Sequence, residues 1–209
     1  MNGLVKKFGR FGTAVILLAV IQTLALGWII AGRVSILRSP DIVTLTTQPI
    51  DPRDLFRGDY VVLAYGISRL ALDGLPGDKE FEQGDTIYVE ITPARETWRA
   101  VGVWRAPPKP ADGDKVIRGR IADVVKNIPR VRAIPFSGDM EEVPCNDCVM
   151  ATVTYGIESY FVPEGEGRKL ENARNSRALS VDVALAGNGE AAIKGVRVDG
   201  ELLYEEPLL

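Results

Sequence analysis

The stretch GDYVVLAYGIS, residues 58–68, has the pattern of a β-strand that begins at a turn and ends in a Tyr-Gly pair. Gly58 permits a tight turn, and Asp59 can accept hydrogen bonds from nearby amides at that turn. Successive side chains of a strand point to opposite faces, so one face carries an apolar row that we expect to enter the core. That row is Val61, Leu63, Tyr65 and Ile67. The opposite face carries Tyr60, Val62 and Ala64. Nothing in the stretch requires catalysis.

The pattern returns ninety positions later in ATVTYGI, residues 151–157, where Tyr155 and Gly156 form a second Tyr-Gly pair. The opposite face of the first strand is apolar, which predicts burial on both faces. The opposite face of the second strand is polar, which predicts that it is partly exposed to water. Two related β units, at about residues 41–125 and 126–209, explain the repeat. Chance alternation in a β-rich sequence explains it equally well.

From residue 41 onward, short runs of β-forming residues alternate with turns rich in glycine, proline and aspartate. About ten such runs predict a mainly β domain built as a barrel or a sandwich. One short helix is predicted at about residues 166–177. Residues 131–148 include Pro135 and Pro144, and we predict an irregular segment there.

An uncharged run at residues 11–31 precedes the β region. A helix of that length spans about 30 Å, the thickness of the hydrocarbon core of a bilayer. The predicted organisation is a cytoplasmic N-terminus at 1–10, a transmembrane helix at 11–32 and an extracytoplasmic β domain at 33–209. The run is longer than the apolar region of a cleaved signal peptide, and it offers only a poor cleavage site. Both features favour an uncleaved signal anchor in the lipid bilayer.

The distribution of charge predicts an orientation and excludes several functions. Three basic residues precede the apolar run and two follow it, which places the N-terminus in the cytoplasm. These residues are Lys6, Lys7, Arg10, Arg33 and Arg38. The rest of the chain holds 20 of the 25 basic residues and all 28 acidic ones, a net charge of −8, which argues against nucleic acid as a partner. Histidine is absent, which excludes imidazole catalysis, Ser-His and Cys-His nucleophiles and histidine metal sites.

Residues 58–65, GDYVVLAY, match letter for letter the signature of the GDYXXLXY family. The chain resembles that family over nearly its whole length, because DPRDLFRGDY at 51–60 and YGIESYFVPEGEG at 155–167 are similar to its other two hallmarks. The resemblance implies a bacterial membrane-anchored protein with an exported domain, encoded beside or fused to multi-pass membrane domains of unknown function. A multi-pass membrane protein is therefore the expected partner. The resemblance implies no established activity, cofactor or catalytic residue.

The hallmarks supply two groups of candidate binding residues. The first group is Arg57, Gly58, Asp59, Tyr60, Leu63 and Tyr65. The second group is Tyr155, Gly156, Glu158, Tyr160, Glu164, Gly165 and Gly167. The glutamates of the second group, with Glu166, have three interpretations: general acid and base on a glycan, ligands of a hard cation, or caps and ion-pair partners of a helix. We favour the third interpretation and predict no metal site.

Cys145 and Cys148 form a C-x-x-C pair in the predicted irregular segment. Two thiolates without histidine do not make a zinc site. A redox function favours a helix N-terminus after the pair, which lowers the thiol pKa, but here a strand pattern follows. We therefore predict a local disulfide formed in an oxidising compartment.

Three hypotheses for function follow, and the sequence favours the first. The first is a non-enzymatic accessory protein whose apolar helix associates with a multi-pass membrane protein. The second is a binding module for a glycan or peptide of the cell envelope, with candidate aromatics at Tyr60, Trp98, Trp104 and Tyr160 beside Arg57 and Glu158. The third is a hydrolase with a carboxylate site. A degenerate relative of type I signal peptidases is a variant of the third, but the serine and lysine of that dyad are missing.

Overall fold

A computed structural model of the chain describes residues 10–49, 60–95, 97–133, 140–145, 147–161 and 167–207. The prediction of a mainly β domain behind one apolar N-terminal helix is confirmed. The helices are α1 (Arg10–Leu37), a single 3-10 turn (Leu72–Gly74) and α2 (Gly167–Asn175). The strands are β1 (Ile42–Gln48), β2 (Tyr60–Val62), β3 (Ala64–Tyr65), β4 (Arg69–Ala71), β5 (Thr86–Ala94), β6 (Thr97–Trp104), β7 (Lys115–Lys126), β8 (Arg130–Ala133), β9 (Met140–Val143), β10 (Val149–Thr154), β11 (Ser159–Phe161), β12 (Leu179–Leu185), β13 (Ala191–Val198) and β14 (Glu201–Glu205).

Two five-stranded antiparallel sheets form the body of the domain. One sheet has the order β14-β13-β12-β1-β3, and the other has the order β4-β10-β7-β5-β6. Alternate side chains of both sheets enter a single apolar core, as the period of two along each strand requires. Val43, Val89, Ile117 and Val183 are among its fully buried members.

The chain changes sheets at each Tyr-Gly pair. β1 and β3 belong to the first sheet, and β4, which follows the pair at residues 65–66, belongs to the second. β10 belongs to the second sheet, and after the pair at residues 155–156 the chain pairs β11 with β2 and returns to the first sheet in β12. Each sheet therefore contains strands from both of the units predicted from the sequence, and those units are not separate bodies.

Two details of the sequence prediction were wrong. The strand at 60–67 is not buried on both faces, because Val62 is 39% exposed. The segment at 131–148 is not irregular throughout, because β8 and β9 pair as an antiparallel ribbon. Its register places Arg132 opposite Glu141. Each of the two strands has only four residues, too few for a sequence pattern to distinguish them from a loop.

Helix α1 has 28 residues, six more than the predicted span of 11–32, and four residues, 38–41, join it to β1. Its segment Ala14–Leu37 contains an 18-residue window with a mean hydropathy of 2.4 and is long and apolar enough to cross a membrane. Its last turn is fastened to the β12–β13 hairpin. Leu37 is buried, Arg33 Nη1 donates a hydrogen bond to the carbonyl of Ala191 at 3.3 Å, and Ser39 Oγ donates one to the carbonyl of Leu185 at 2.5 Å.

Candidate functional site

The two Tyr-Gly turns face each other and exchange side-chain hydrogen bonds. The Tyr65 hydroxyl donates to the carbonyl of Ile157 at 2.5 Å, and the Tyr155 hydroxyl donates to the carbonyl of Ile67 at 2.7 Å. Each tyrosine thus bonds to the residue two positions after the other tyrosine. We call this arrangement the tyrosine lock.

The backbone around the tyrosine lock repeats the same reciprocity. The amide of Leu63 donates to the carbonyl of Glu158 at 2.8 Å, and the amide of Val153 donates to the carbonyl of Ser68 at 2.9 Å. The strand pairing has the same reciprocity. Val62 pairs with Ser159, and Thr152, ninety positions after Val62, pairs with Arg69, ninety positions before Ser159. A shift of ninety positions converts each contact into its counterpart, so a pseudo-twofold axis passes between the two turns.

Each turn is also closed by the side chain three residues after its tyrosine. The amide of Tyr65 donates to Ser68 Oγ at 3.1 Å. In the second turn, the amide of Tyr155 donates to Glu158 Oε1, and the amide of Gly156 donates to Glu158 Oε2 at 2.9 Å. Gly156 has a φ of +79°, which a residue with a side chain adopts at a cost. Both carboxylate oxygens of Glu158 are therefore held by the backbone of their own turn, whereas the sequence predicted a helix cap or an ion-pair partner.

The lock tyrosines lie in the core. Tyr65 is 1% exposed and Tyr155 is 6% exposed. Burial, and to a lesser extent the charge of Glu158, raises the pKa of both hydroxyls well above the ordinary value. Both therefore stay protonated and act as donors. Both side chains are buried, and each hydroxyl bonds to the opposite turn. We therefore assign these two tyrosines the role of joining the turns.

A buried arginine connects α2 to the signature strand. Arg174 is 1% exposed, and its Nη1 donates to the carbonyl of Val62 at 2.8 Å, while Nε and Nη2 each lie 3.2 Å from Asn175 Oδ1. Leu170 and Ala173, on the same face of α2, are also buried. Arg174 was not predicted to be buried. Its position on the apolar face of α2 was the signal that could have revealed its burial.

Clefts on the surface of the described residues include three that adjoin the Tyr-Gly turns. The helix-side cleft, of about 800 Å³, lies between the last turns of α1 and residues of β7, β10, the Tyr155 turn and the β12–β13 hairpin. The Tyr160 cleft, of about 430 Å³, adjoins it and includes Gly156, Glu158 and Tyr160. The Trp98 cleft, of about 400 Å³, includes Gly66 and Trp98.

The Tyr160 cleft and the Trp98 cleft are counterparts under the pseudo-twofold axis. Gly156, Ser159, Tyr160 and Phe161 line the first, and Gly66, Arg69, Leu70 and Ala71, ninety positions earlier, line the second. Arg33 of α1 lines the Tyr160 cleft, whereas no residue of α1 lines the Trp98 cleft. Helix α1 thus distinguishes two otherwise related surfaces.

The predicted site residues have different locations. Leu63, Tyr65, Tyr155, Gly156 and Glu158 meet at the tyrosine lock, and Tyr60 begins β2 beside β11. Tyr160 is half-buried and lines a different cleft from Trp98, so these two predicted aromatics do not share one cleft. Gly167 is the first residue of α2. Arg57, Gly58, Asp59, Glu164, Gly165 and Glu166 lie outside the described residues.

Cys145 and Cys148 are joined in a disulfide, with their Cα atoms 5.5 Å apart. The bridge closes the loop between β9 and β10, and Cys148 is buried. A strand follows the pair, so the cysteines do not stand at a helix N-terminus. Groups of three or more cysteine, aspartate and glutamate residues that could hold a metal ion are absent from the part of the chain that the structure describes.

The architecture defines a class of protein in which an apolar helix continues directly into a two-sheet β domain closed by paired Tyr-Gly turns. The model of GDYXXLXY proteins matches residues 22–196, and the chain belongs to the GDYXXLXY family. No curated protein and no solved structure matches the chain. Two letters of the signature have a structural reason: Leu63 is buried and pairs with Glu158 through its amide, and Tyr65 forms one half of the tyrosine lock.

Proposed function

We propose that this chain is a single-pass accessory protein of the bacterial cytoplasmic membrane, with its N-terminus in the cytoplasm, and that it associates with a multi-pass membrane protein. The observation that carries the proposal is α1. The 18-residue apolar window of α1 is 0% buried within the structure, so its side chains are available to lipid or to other helices. A soluble protein exposing that much apolar surface would associate or aggregate.

Two further observations support an extracytoplasmic β domain. The charge bias across α1 favours a cytoplasmic N-terminus. The Cys145–Cys148 bridge suits an oxidising compartment, since cytosolic thiols are kept reduced. The attachment of Leu37 and Ser39 to the β domain supports a fixed distance between the domain and the membrane surface.

Small residues on α1 support close contact with a partner helix. Gly12, Ala19 and Gly27 are spaced by seven and eight positions, which places them within about a quarter of the helix circumference. No atom outside the helix lies within 4 Å of the position that a Cβ on Gly27 would take. Small residues let helix backbones approach closely in a bilayer, where interhelical packing replaces the hydrophobic effect.

A second candidate function is a binding module for a cell-envelope peptide or glycan. The Trp98 cleft favours it, because Trp98, Leu70 and Leu75 give it an apolar floor and Arg69 and Arg99 give it a polar rim. The hydrolase hypothesis has less support. Glu158 is bonded to the backbone of its own turn, and the other two glutamates of the proposed acid-base cluster lie outside the described residues.

Copurification tests the association. We expect the full chain, extracted from membranes in a mild detergent after crosslinking, to recover a multi-pass protein. Ala19→Leu with Gly27→Leu should reduce that recovery about tenfold, because bulky side chains separate the helices. Leu18→Ile with Ile21→Leu, on the opposite side of α1, should leave it unchanged. Repeated failure of the unaltered chain to recover any membrane protein would contradict the proposal.

A further inference from the structure

The helix-side cleft concentrates positive charge on an otherwise acidic domain. Its charged lining consists of three arginines and one glutamate: Arg33, Arg118, Arg120 and Glu190. Residues 41–209 have a net charge of −8. The excess of two positive charges in this cleft is therefore opposite in sign to the net charge of the domain. A cleft of this charge selects anionic groups.

The three arginines line the cleft from two elements, α1 and β7, and have more N–H donors than their hydrogen bonds to the protein use. Arg118 and Arg120 alternate with buried Gly119, so they share the outer face of β7. Arg118 is paired with Glu190. Arg120 Nε donates to the carbonyl of Gly84 at 3.0 Å, and Arg33 uses Nη1 for Ala191. A guanidinium has five N–H donors, so the outer nitrogens of Arg33 and Arg120 remain able to bind an oxyanion.

One wall of the cleft is formed by a single face of α1. Trp28, Ile29, Gly32, Arg33 and Ile36 follow the spacing of adjacent helical turns. A helix needs about 20 residues to cross the hydrocarbon core, so a span that begins near residue 11 reaches the bilayer surface near Ala31. Trp28 is 83% exposed, in the position where tryptophan marks the interface. The cleft therefore has an apolar, lipid-side end and a cationic, water-side end.

We propose that the helix-side cleft binds the headgroup of an anionic phospholipid, with the phosphate held by Arg33, Arg118 and Arg120. The acyl chains extend along Trp28 and Ile29 into the bilayer. The inference rests on the membrane placement proposed above and goes beyond it, since it assigns a lipid class and the residues that select it.

Native mass spectrometry of the full chain in mild detergent tests the site. Phosphatidylglycerol should remain bound, and phosphatidylcholine at the same concentration should bind at least about tenfold more weakly. Arg33→Gln with Arg120→Gln should weaken phosphatidylglycerol binding about tenfold, because two exposed side chains of the cleft lose their positive charge. Arg69→Gln with Arg99→Gln, in the Trp98 cleft, is the matched control and should bind as the unaltered chain does.

Three results would overturn the lipid site. These are equal retention of the two lipids, equal loss in the two double variants, and binding of glycerol 3-phosphate as strong as that of the lipid. The last result would identify a soluble phosphate as the ligand. Retention of the chain in washed membranes is measured in parallel, so failure of the lipid site is distinguished from failure of the membrane placement. Arg120→Gln alone provides a second variant whose effect should be intermediate.

Discussion

Replacing Tyr65 and Tyr155 together by phenylalanine is expected to lower the free energy of unfolding by about 2–6 kcal/mol. Each change removes one buried donor and leaves the carbonyl of Ile157 or Ile67 without its partner, at about 1–3 kcal/mol each. Denaturant unfolding of the full chain in detergent, followed by near-ultraviolet circular dichroism, measures the loss. Tyr88→Phe is the control, because Tyr88 is half-buried and its hydroxyl forms no hydrogen bond among the described residues.

The pH dependence of unfolding provides a second readout of the tyrosine lock. Burial raises the pKa of both lock hydroxyls, so above about pH 10 the unfolded chain releases protons that the folded chain retains. Their contribution to stability is complete below the unfolded pKa and is lost as pH rises toward the folded one, with a slope of up to about 1.4 kcal/mol per pH unit for each tyrosine. The double phenylalanine variant should lose this slope. Equal slopes in the variant and the unaltered chain would contradict the assignment.

Replacing Arg174 by alanine is expected to cost about 3–5 kcal/mol. The change removes the donor to the carbonyl of Val62 and leaves a cavity beneath α2, and the two costs add. Arg174→Lys should recover only part of the loss, because an ammonium group does not reproduce the fork of a guanidinium. Thermal unfolding of the full chain measures the effect.

Arg177, three residues further along the chain, supplies the control for this prediction. Its side chain is exposed, so Arg177→Ala should change the unfolding free energy by less than about 0.5 kcal/mol. An Arg174→Ala variant as stable as Arg177→Ala would show that the buried guanidinium does not hold α2 against β2.

The elements that depend on local periodicity were predicted correctly from the sequence. The alternation around Tyr65 predicted its burial, and the long uncharged run predicted α1, because both signals lie within a few turns or one strand. The position of α2 was also predicted, at about residues 166–177, close to the observed Gly167–Asn175.

The parts that failed depend on contacts between distant residues. The bond from Tyr65 to Ile157 joins residues that no local pattern connects, and the repeat that hints at it is compatible with chance. Arg174 was not recognised as buried because arginine is usually exposed unless it is paired. The strand order of the two sheets was not predicted, because each sheet pairs strands that lie far apart in the sequence.

The central claim is that α1 anchors a β domain on the oxidising side of a membrane. The most direct test is to block free thiols in intact cells, isolate carbonate-washed membranes, and measure the mass of the peptide containing Cys145 and Cys148. The account predicts a full-length chain in the membrane fraction with both cysteines unmodified until reductant is added. Recovery in the soluble fraction, or blocked thiols before reduction, would contradict it.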